Sequence, residues 1–150
     1  MGNIGSRERF NYTVMGDTVN LASRLEGLNK VYGTSILMSD STYLQAQGQV
    51  IARPVDLVRV KGKHQAVKIY EPLCLASESD EWARALSSHC EQGLEAYVGG
   101  EFERAAVHFE QALGARAQDQ PASLLLERCR RFALQPPPRD WDGVYVAKEK

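Results

Sequence analysis

The sequence predicts an α+β domain in its first half, followed by an all-α extension. Three observations carry that expectation. Stretches rich in β-branched and aromatic residues, 10–15 and 51–70, read as strands. Between them Leu21, Leu25, Leu28 and Tyr32 fall at i, i+4, i+7 and i+11, one apolar helical stripe. After Leu75 the texture changes, and Phe102, Ala105, Ala106, Phe109, Ala112 and Leu113 form one face of a further helix.

In chain order, the strand at 10–15 ends at Gly16-Asp17, where the Asp17 carboxylate suits a helix N-cap. The striped helix closes at Gly33, a C′ residue. Residues 34–38 read as a strand, and Ser39-Asp40-Ser41 caps a short helix reaching Gln47. Residues 51–60 form a strand made irregular by Pro54. Lys61-Gly62-Lys63 turns the chain, and residues 67–70 close a hairpin. The segments predicted from these signals are an α+β portion over 1–76, a polar linker at 77–86, helices over 87–134 and a Pro/aromatic tail at 135–150. Within 87–134, helices at 87–98 and 102–115 meet at Gly99-Gly100. A third spans 122–134, with Pro121 near its first turn and Pro136-Pro137-Pro138 forbidding continuation. Trp141 and Tyr145 in the tail are expected to pack back by their rings.

With 43% hydrophobic and 25% charged residues, the composition is that of a globular protein. A net charge of −1 lacks the basic excess that nucleic acid or an anionic membrane surface demands, although a local basic pocket stays open. Cys74, Cys90 and Cys129 are odd in number, widely spaced and without CxxC, which argues against a zinc site and a disulfide framework and points to reduced thiols in a cytoplasmic setting. No apolar run approaches the roughly 18 residues of a membrane span. Arg7, Glu8 and Arg9 precede any hydrophobic core that a signal peptide would need. Residues 1–5 enter strand-like sequence with no polar lead-in, so the chain is expected to start inside a larger fold.

Chemistry concentrates in the run from Tyr12 to Glu26. Asn20 and Arg24 are i, i+4 neighbours and project side by side beside the leucine stripe, with Gly27 extending their row. An amide and a guanidinium so aligned aim several N–H groups at one anion, and arginine brings a rigid fork with permanent charge. On the residues alone, such a pair is more often a solvated helix flank than a catalytic device.

The run Gly2-Asn3-Ile4-Gly5-Ser6, then Arg9 through Glu26, resembles the signature of class III adenylate/guanylate cyclases. The resemblance continues through Tyr32-Gly33, residues 36–39, Val60-Lys61-Gly62-Lys63 and Ile69-Tyr70-Glu71. It covers about the first 75 residues and implies the C-terminal portion of an incomplete, ferredoxin-like cyclase domain. It further implies an enzyme converting ATP to 3′,5′-cyclic AMP and pyrophosphate in a site shared by two subunits. Asn20 would orient the ribose and Arg24 would neutralise charge growing on the α-phosphate. Thr13 stands where the family reads the base, though a β-branched strand residue explains it too. Val19 lines the base pocket or the core. Lys61 meets the β/γ-phosphates or sits in an exposed turn, where Lys63 certainly belongs. Mg²⁺ or Mn²⁺ serves the complete enzyme, yet its ligating aspartates precede this segment in the family. No metal ligand is therefore assigned here, Asp17 being explained as a cap.

Gly93, Ala105, Phe109 and Ala112 fall where a tetratricopeptide-type helix pair places small and aromatic packing residues, with Gly100 to Glu103 as its turn. One such pair cannot bury its own face, so it is expected to pack on its own chain or cap a neighbour. Tails ending like Pro136-Pro137-Pro138 and Asp140 to Tyr145 resemble those of bacterial membrane-anchored sensor cyclases, which implies a parent with upstream membrane segments. A catalytically inactive nucleotide-binding or regulatory module is the alternative from another class. Because a pair of these chains brings no metal carboxylates to the phosphates, the purified chain with Mg·ATP or Mn·ATP is expected to form no measurable cyclic AMP, a result that a standard cyclase assay checks.

Overall fold

The computed structural model describes residues 25–59, 65–78 and 80–146. Thr13, Asn20, Arg24 and Lys61 lie outside them, as do Asp17, Val19, Lys63, the strand expected at 10–15 and the turn at 61–63. Helix α1 is described over residues 25–32, then come β1 (Met38–Ser39), α2 (Asp40–Ala46), β2 (Val50–Arg59) and β3 (Val67–Leu75). Helices α3 (Glu81–Val98), α4 (Phe102–Ala115) and α5 (Gln120–Leu134) follow, and β4 (Tyr145–Val146) ends the described chain. Among the described residues the sheet order is β1-β3-β2-β4. The first two pairings are antiparallel and β4 joins β2 in parallel, giving an α+β fold with a mixed sheet.

The apolar stripe builds α1 as the sequence predicts: Leu25, Leu28 and Tyr32 are all buried against Val55, Val58 and Ile69 of the sheet. Gly33 ends the helix at φ +70°, a left-handed conformation that glycine adopts without a Cβ penalty. The expected strand at 34–38 shrinks to Met38–Ser39. Its first residues are used to finish α1 instead: the Gly33 and Thr34 N–H groups both donate to the Asn29 carbonyl, and the Thr34 hydroxyl donates to the Asn29 side chain at 2.6 Å. Ser39 then caps α2 by accepting from the Thr42 N–H. Pro54 does disturb β2, whose register against β3 shifts between Ile51 and Ala52 and again between Pro54 and Asp56.

Two other boundaries depart from expectation. Helix α3 begins at Glu81, so the linker expected over 77–86 ends earlier. Ala83 and Leu86 are both fully buried and extend the stripe that continues through Cys90, Leu94 and Tyr97. Helix α5 begins at Gln120, with Pro121 in the first turn and the Asp119 carboxylate accepting from the Ala122 N–H at 3.0 Å. It stops at Leu134 before the three prolines, as predicted.

Helices α3, α4 and α5 enclose a core of Leu86, Cys90, Leu94, Tyr97, Ala105, Phe109, Ala112, Leu125 and Cys129. The tail closes it, with the Trp141 ring edge-on to Tyr97 at 5.3 Å. The extension is not a separate body: Ser87 of α3 donates to the Ala52 carbonyl of β2 at 2.8 Å, and Leu124 of α5 packs with the α1–sheet cluster. Among the described residues no helix is long and apolar enough to cross a membrane.

Where α3 meets α4, Gly93 lies against Phe109, and a Cβ there would stand 2.9 Å from the ring. Gly114, near the end of α4, has nothing within 4 Å of such a Cβ. Gly93→Val is expected to lower stability by about 1–3 kcal/mol through overpacking, whereas Gly114→Ala raises it by about 0.5–1 kcal/mol through helix propensity. Urea denaturation of both variants checks the contrast.

Candidate functional site

Helix α1 carries the end of the motif singled out in the sequence, since its first described residue, Leu25, follows Arg24. Leu25, Glu26 and Asn29 of α1 face Ser35, Met38 and Thr42 across a cleft of about 340 Å³. The four candidates Asn20, Arg24, Thr13 and Lys61 lie outside the described residues, so the geometry here is that of the elements holding the motif's flank.

What the described structure adds is a set of buried charges that sequence reading missed. Two arginine–carboxylate links join β2 to α5. Arg53 of β2 forms a bidentate fork on Asp119: Nη1 donates to Oδ2 and Nη2 to Oδ1, both at 2.9 Å. Its Nε donates to Glu71 Oε1 of β3 at 2.9 Å, and its Nη1 lies 3.5 Å from the Cys90 sulfur. Three residues along β2, Asp56 Oδ2 accepts from Arg128 Nη1 of α5 at 2.7 Å and from the Tyr32 hydroxyl of α1 at 2.5 Å. Asp56 Oδ1 accepts from the Leu57 N–H at 2.8 Å. The Arg128 guanidinium lies 4.7 Å over the Tyr145 ring, which in turn meets Tyr32 edge-on.

All four charged groups are buried, Arg53 and Asp56 to within 1% of complete. Burial would depress Arg53, but the hydrogen bonds to Asp119 and the surrounding negative charge hold it above its ordinary value. Arg128 follows the same logic, with Asp56 supplying the opposing pull. Burial pushes the Asp56 carboxyl up against the pull of Arg128, Tyr32 and the Leu57 N–H. Burial, reinforced by Asp56, also raises the Tyr32 hydroxyl, which therefore stays a proton donor. The Cys90 and Cys129 thiols are pushed up by burial to about 11 and about 12, so both are neutral, unreactive core residues at physiological pH.

A metal fits none of these groups. Among the described residues no cluster of three or more His, Cys, Asp or Glu could hold one, and the carboxylates of Asp56, Glu71 and Asp119 already face arginines.

Residues 1–71 match the family described as adenylate and guanylate cyclase catalytic domain. Adenylate cyclase 1 of Rhizobium meliloti (strain 1021) is 51% identical over 71 residues, 47% of this chain and 11% of that protein. An adenylate cyclase of Anabaena cylindrica is 46% identical over 74 residues, 47% of this chain and 15% of the other. The terminal-differentiation specific adenylate cyclase of Dictyostelium discoideum is 33% identical over 134 residues, 86% of this chain but 6% of its own length. That last alignment runs well past the 71 residues matched by the family, into the helical extension. The chain thus spans a small fraction of each relative. No solved structure matches it.

The Arg53–Asp119 fork carries a stability prediction. Asp119→Ala strands a buried guanidinium and removes the α5 cap, and is expected to cost about 3–5 kcal/mol. Asp119→Asn keeps the cap acceptor and is expected to cost clearly less. Equal losses for the two in urea denaturation would refute this account of the fork.

Proposed function

We propose, on the match of residues 1–71 to the adenylate and guanylate cyclase catalytic domain family, that the chain supplies the transition-state face of an adenylate cyclase site formed with a second cyclase subunit. The observation that carries the reading is the unbroken Asn20/Arg24 pair within a segment 51% identical to an adenylate cyclase over 71 residues.

In this reading the 3′-hydroxyl of ATP attacks the α-phosphorus, the bond to the bridging oxygen breaks, and pyrophosphate leaves as the cyclic phosphodiester closes. Asn20 holds the ribose so that the hydroxyl is aligned for attack. Arg24 meets the negative charge that grows on the α-phosphate oxygens, an interaction stronger in the transition state than in the ground state. Lys61 meets the β/γ-phosphates as a compact cation, and Thr13 contributes a hydroxyl to base reading. Mg²⁺ or Mn²⁺ serves the complete enzyme, and no step assigned to these residues runs through it. The helical extension, with Gly93 seated on Phe109 in the manner of a tetratricopeptide-type pair, acts as packing on its own chain rather than as a peptide groove.

The test is complementation. The chain is mixed with a class III cyclase domain that keeps its metal-binding aspartates but has its own Asn and Arg counterparts replaced, and cyclic AMP is measured with Mn·ATP. The wild-type chain is expected to restore activity, and Asn20→Ala or Arg24→Ala to reduce it by roughly 10²–10³-fold. Restoration undiminished by Arg24→Ala, or no restoration by the wild-type chain, would overturn the reading in favour of a regulatory module.

A further inference from the structure

Four contacts tie the end of α1 to α5, two of them directly and two through Asp56 of β2 and Tyr145 of β4. The Tyr32 hydroxyl of α1 and Arg128 of α5 share the same oxygen of Asp56, at 2.5 and 2.7 Å. Leu124 of α5 packs into the cluster of Leu25, Leu28 and Tyr32. Gln120 at the start of α5 fills the space beside Gly33, where a Cβ would collide with its side-chain amide. Tyr145, held under the Arg128 guanidinium, meets the Tyr32 ring edge-on at 6.2 Å. Two of these contacts are directional and buried, so they fix the rotation of α1 about its axis as well as its depth. An apolar stripe alone tolerates rotation and sliding far more readily.

We infer that the helical extension is a positioning element for catalysis, acting through the link Arg128–Asp56–Tyr32 on the helix whose sequence stripe runs back past Arg24 to Leu21. This inference rests on the reading of Asn20 and Arg24 given above. In that reading, with residues 21–32 one helix as the sequence stripe predicts, a small rotation of α1 would displace both side chains relative to the α-phosphate. A shift of about 1 Å at a catalytic group can cost about 10²-fold in rate. Because Arg24 acts chiefly on the charge that grows in the transition state, the loss falls mainly on kcat and leaves the KM for ATP nearly unchanged. Tyr32, Asp56 and Arg128 are then positioning residues, remote from substrate.

The experiment uses the full chain in the complementation assay with Mn·ATP. Tyr32→Phe removes only the hydroxyl and leaves the ring packed. Arg128→Met removes the cation while keeping an apolar stem, and Arg128→Lys partly restores it. Gly93→Val serves as the control, since it lowers stability at the α3–α4 contact without touching the link. Amide hydrogen exchange over residues 25–32 is followed in parallel. The expected result is a fall in kcat of about 3–10-fold for Tyr32→Phe and about 10–100-fold for Arg128→Met. KM should stay within about threefold, Arg128→Lys should recover part of the loss, and exchange in α1 should accelerate. Gly93→Val, assayed under conditions in which it and Arg128→Met both remain folded, should keep wild-type kcat. Unchanged kcat in Tyr32→Phe and Arg128→Met, while Asn20→Ala still lowers activity by roughly 10²–10³-fold, would overturn the inference and leave the functional reading standing. An equal loss in Gly93→Val would reduce the link to general stability and also overturn it. Indifference to Asn20→Ala would instead overturn the functional reading, and the inference with it.

Discussion

The arrangement of the described chain depends on two arginines and two carboxylates that cannot be left alone. A guanidinium or a carboxylate taken out of water costs several kcal/mol unless a partner and the remaining hydrogen bonds are supplied. Here the supply is reciprocal. The sheet contributes a cation, Arg53, and an anion, Asp56, and α5 answers with Asp119 and Arg128. Undocking α5 would strand one charge of each sign on both bodies. Along β2 the two charges are three residues apart, about 10 Å. Along α5 they are nine apart, about 13 Å, a difference that the long arginine side chains absorb. Reversing α5 end for end would place Arg128 against Arg53 and Asp119 against Asp56, two like-charge contacts. The charge pattern therefore fixes the direction and register of the helix. That specificity is its physical role more than any net gain in stability, since buried ion pairs often break even against apolar contacts.

Apolar burial supplies the driving force that the charges direct. Helix α5 is the wall shared by both cores: Leu125, Leu126 and Cys129 belong to the cluster with α3 and α4, while Leu124 reaches the cluster of α1 and the sheet. Each such side chain is worth about 1.5–3 kcal/mol when buried. The Asp119 carboxylate does two jobs at once, receiving Arg53 and capping the helix it begins. Sheet pairing and helix initiation are thereby tied to one residue, and the parallel addition of β4 to β2 places Tyr145 where it covers Arg128.

Features with a local cause were legible in the sequence. The stripe of Leu25, Leu28 and Tyr32, the Ser39 cap, the Pro54 irregularity, the face of α4 and the stop before Pro136 each follow from propensity, capping or periodicity within one element. The missed features are those settled by another element. Residues 80–86 look like a polar linker until Ala83 and Leu86 are seen to bury against the bundle. Residues 34–37 are rich enough in β-formers for a strand, but the end of α1 claims their first backbone donors. Arg53 and Asp56 were not singled out from the sequence. The overlooked signal was their setting: both sit inside an otherwise apolar run from Val50 to Val58, where a charge needs a partner from elsewhere in the chain. For the candidate site the balance is reversed. A long, specific motif singles out Asn20 and Arg24, which lie outside the described residues, and the buried links that hold α1 were invisible to it.

That asymmetry has a physical origin. A catalytic group is chosen for what it does to the substrate, so its identity is written into a short segment. Its placement is fixed by whatever holds the segment, and those residues can lie anywhere in the chain. Tyr32 and Arg128 are 96 positions apart, yet they meet on one carboxylate oxygen. The interaction that places α1 is also the kind least tolerant of displacement, because a buried hydrogen bond to a charge weakens steeply with distance and angle. A helix held only by leucines could settle into several rotations of similar energy. One held by a hydroxyl, a carboxylate and a guanidinium at fixed distances has a single preferred rotation.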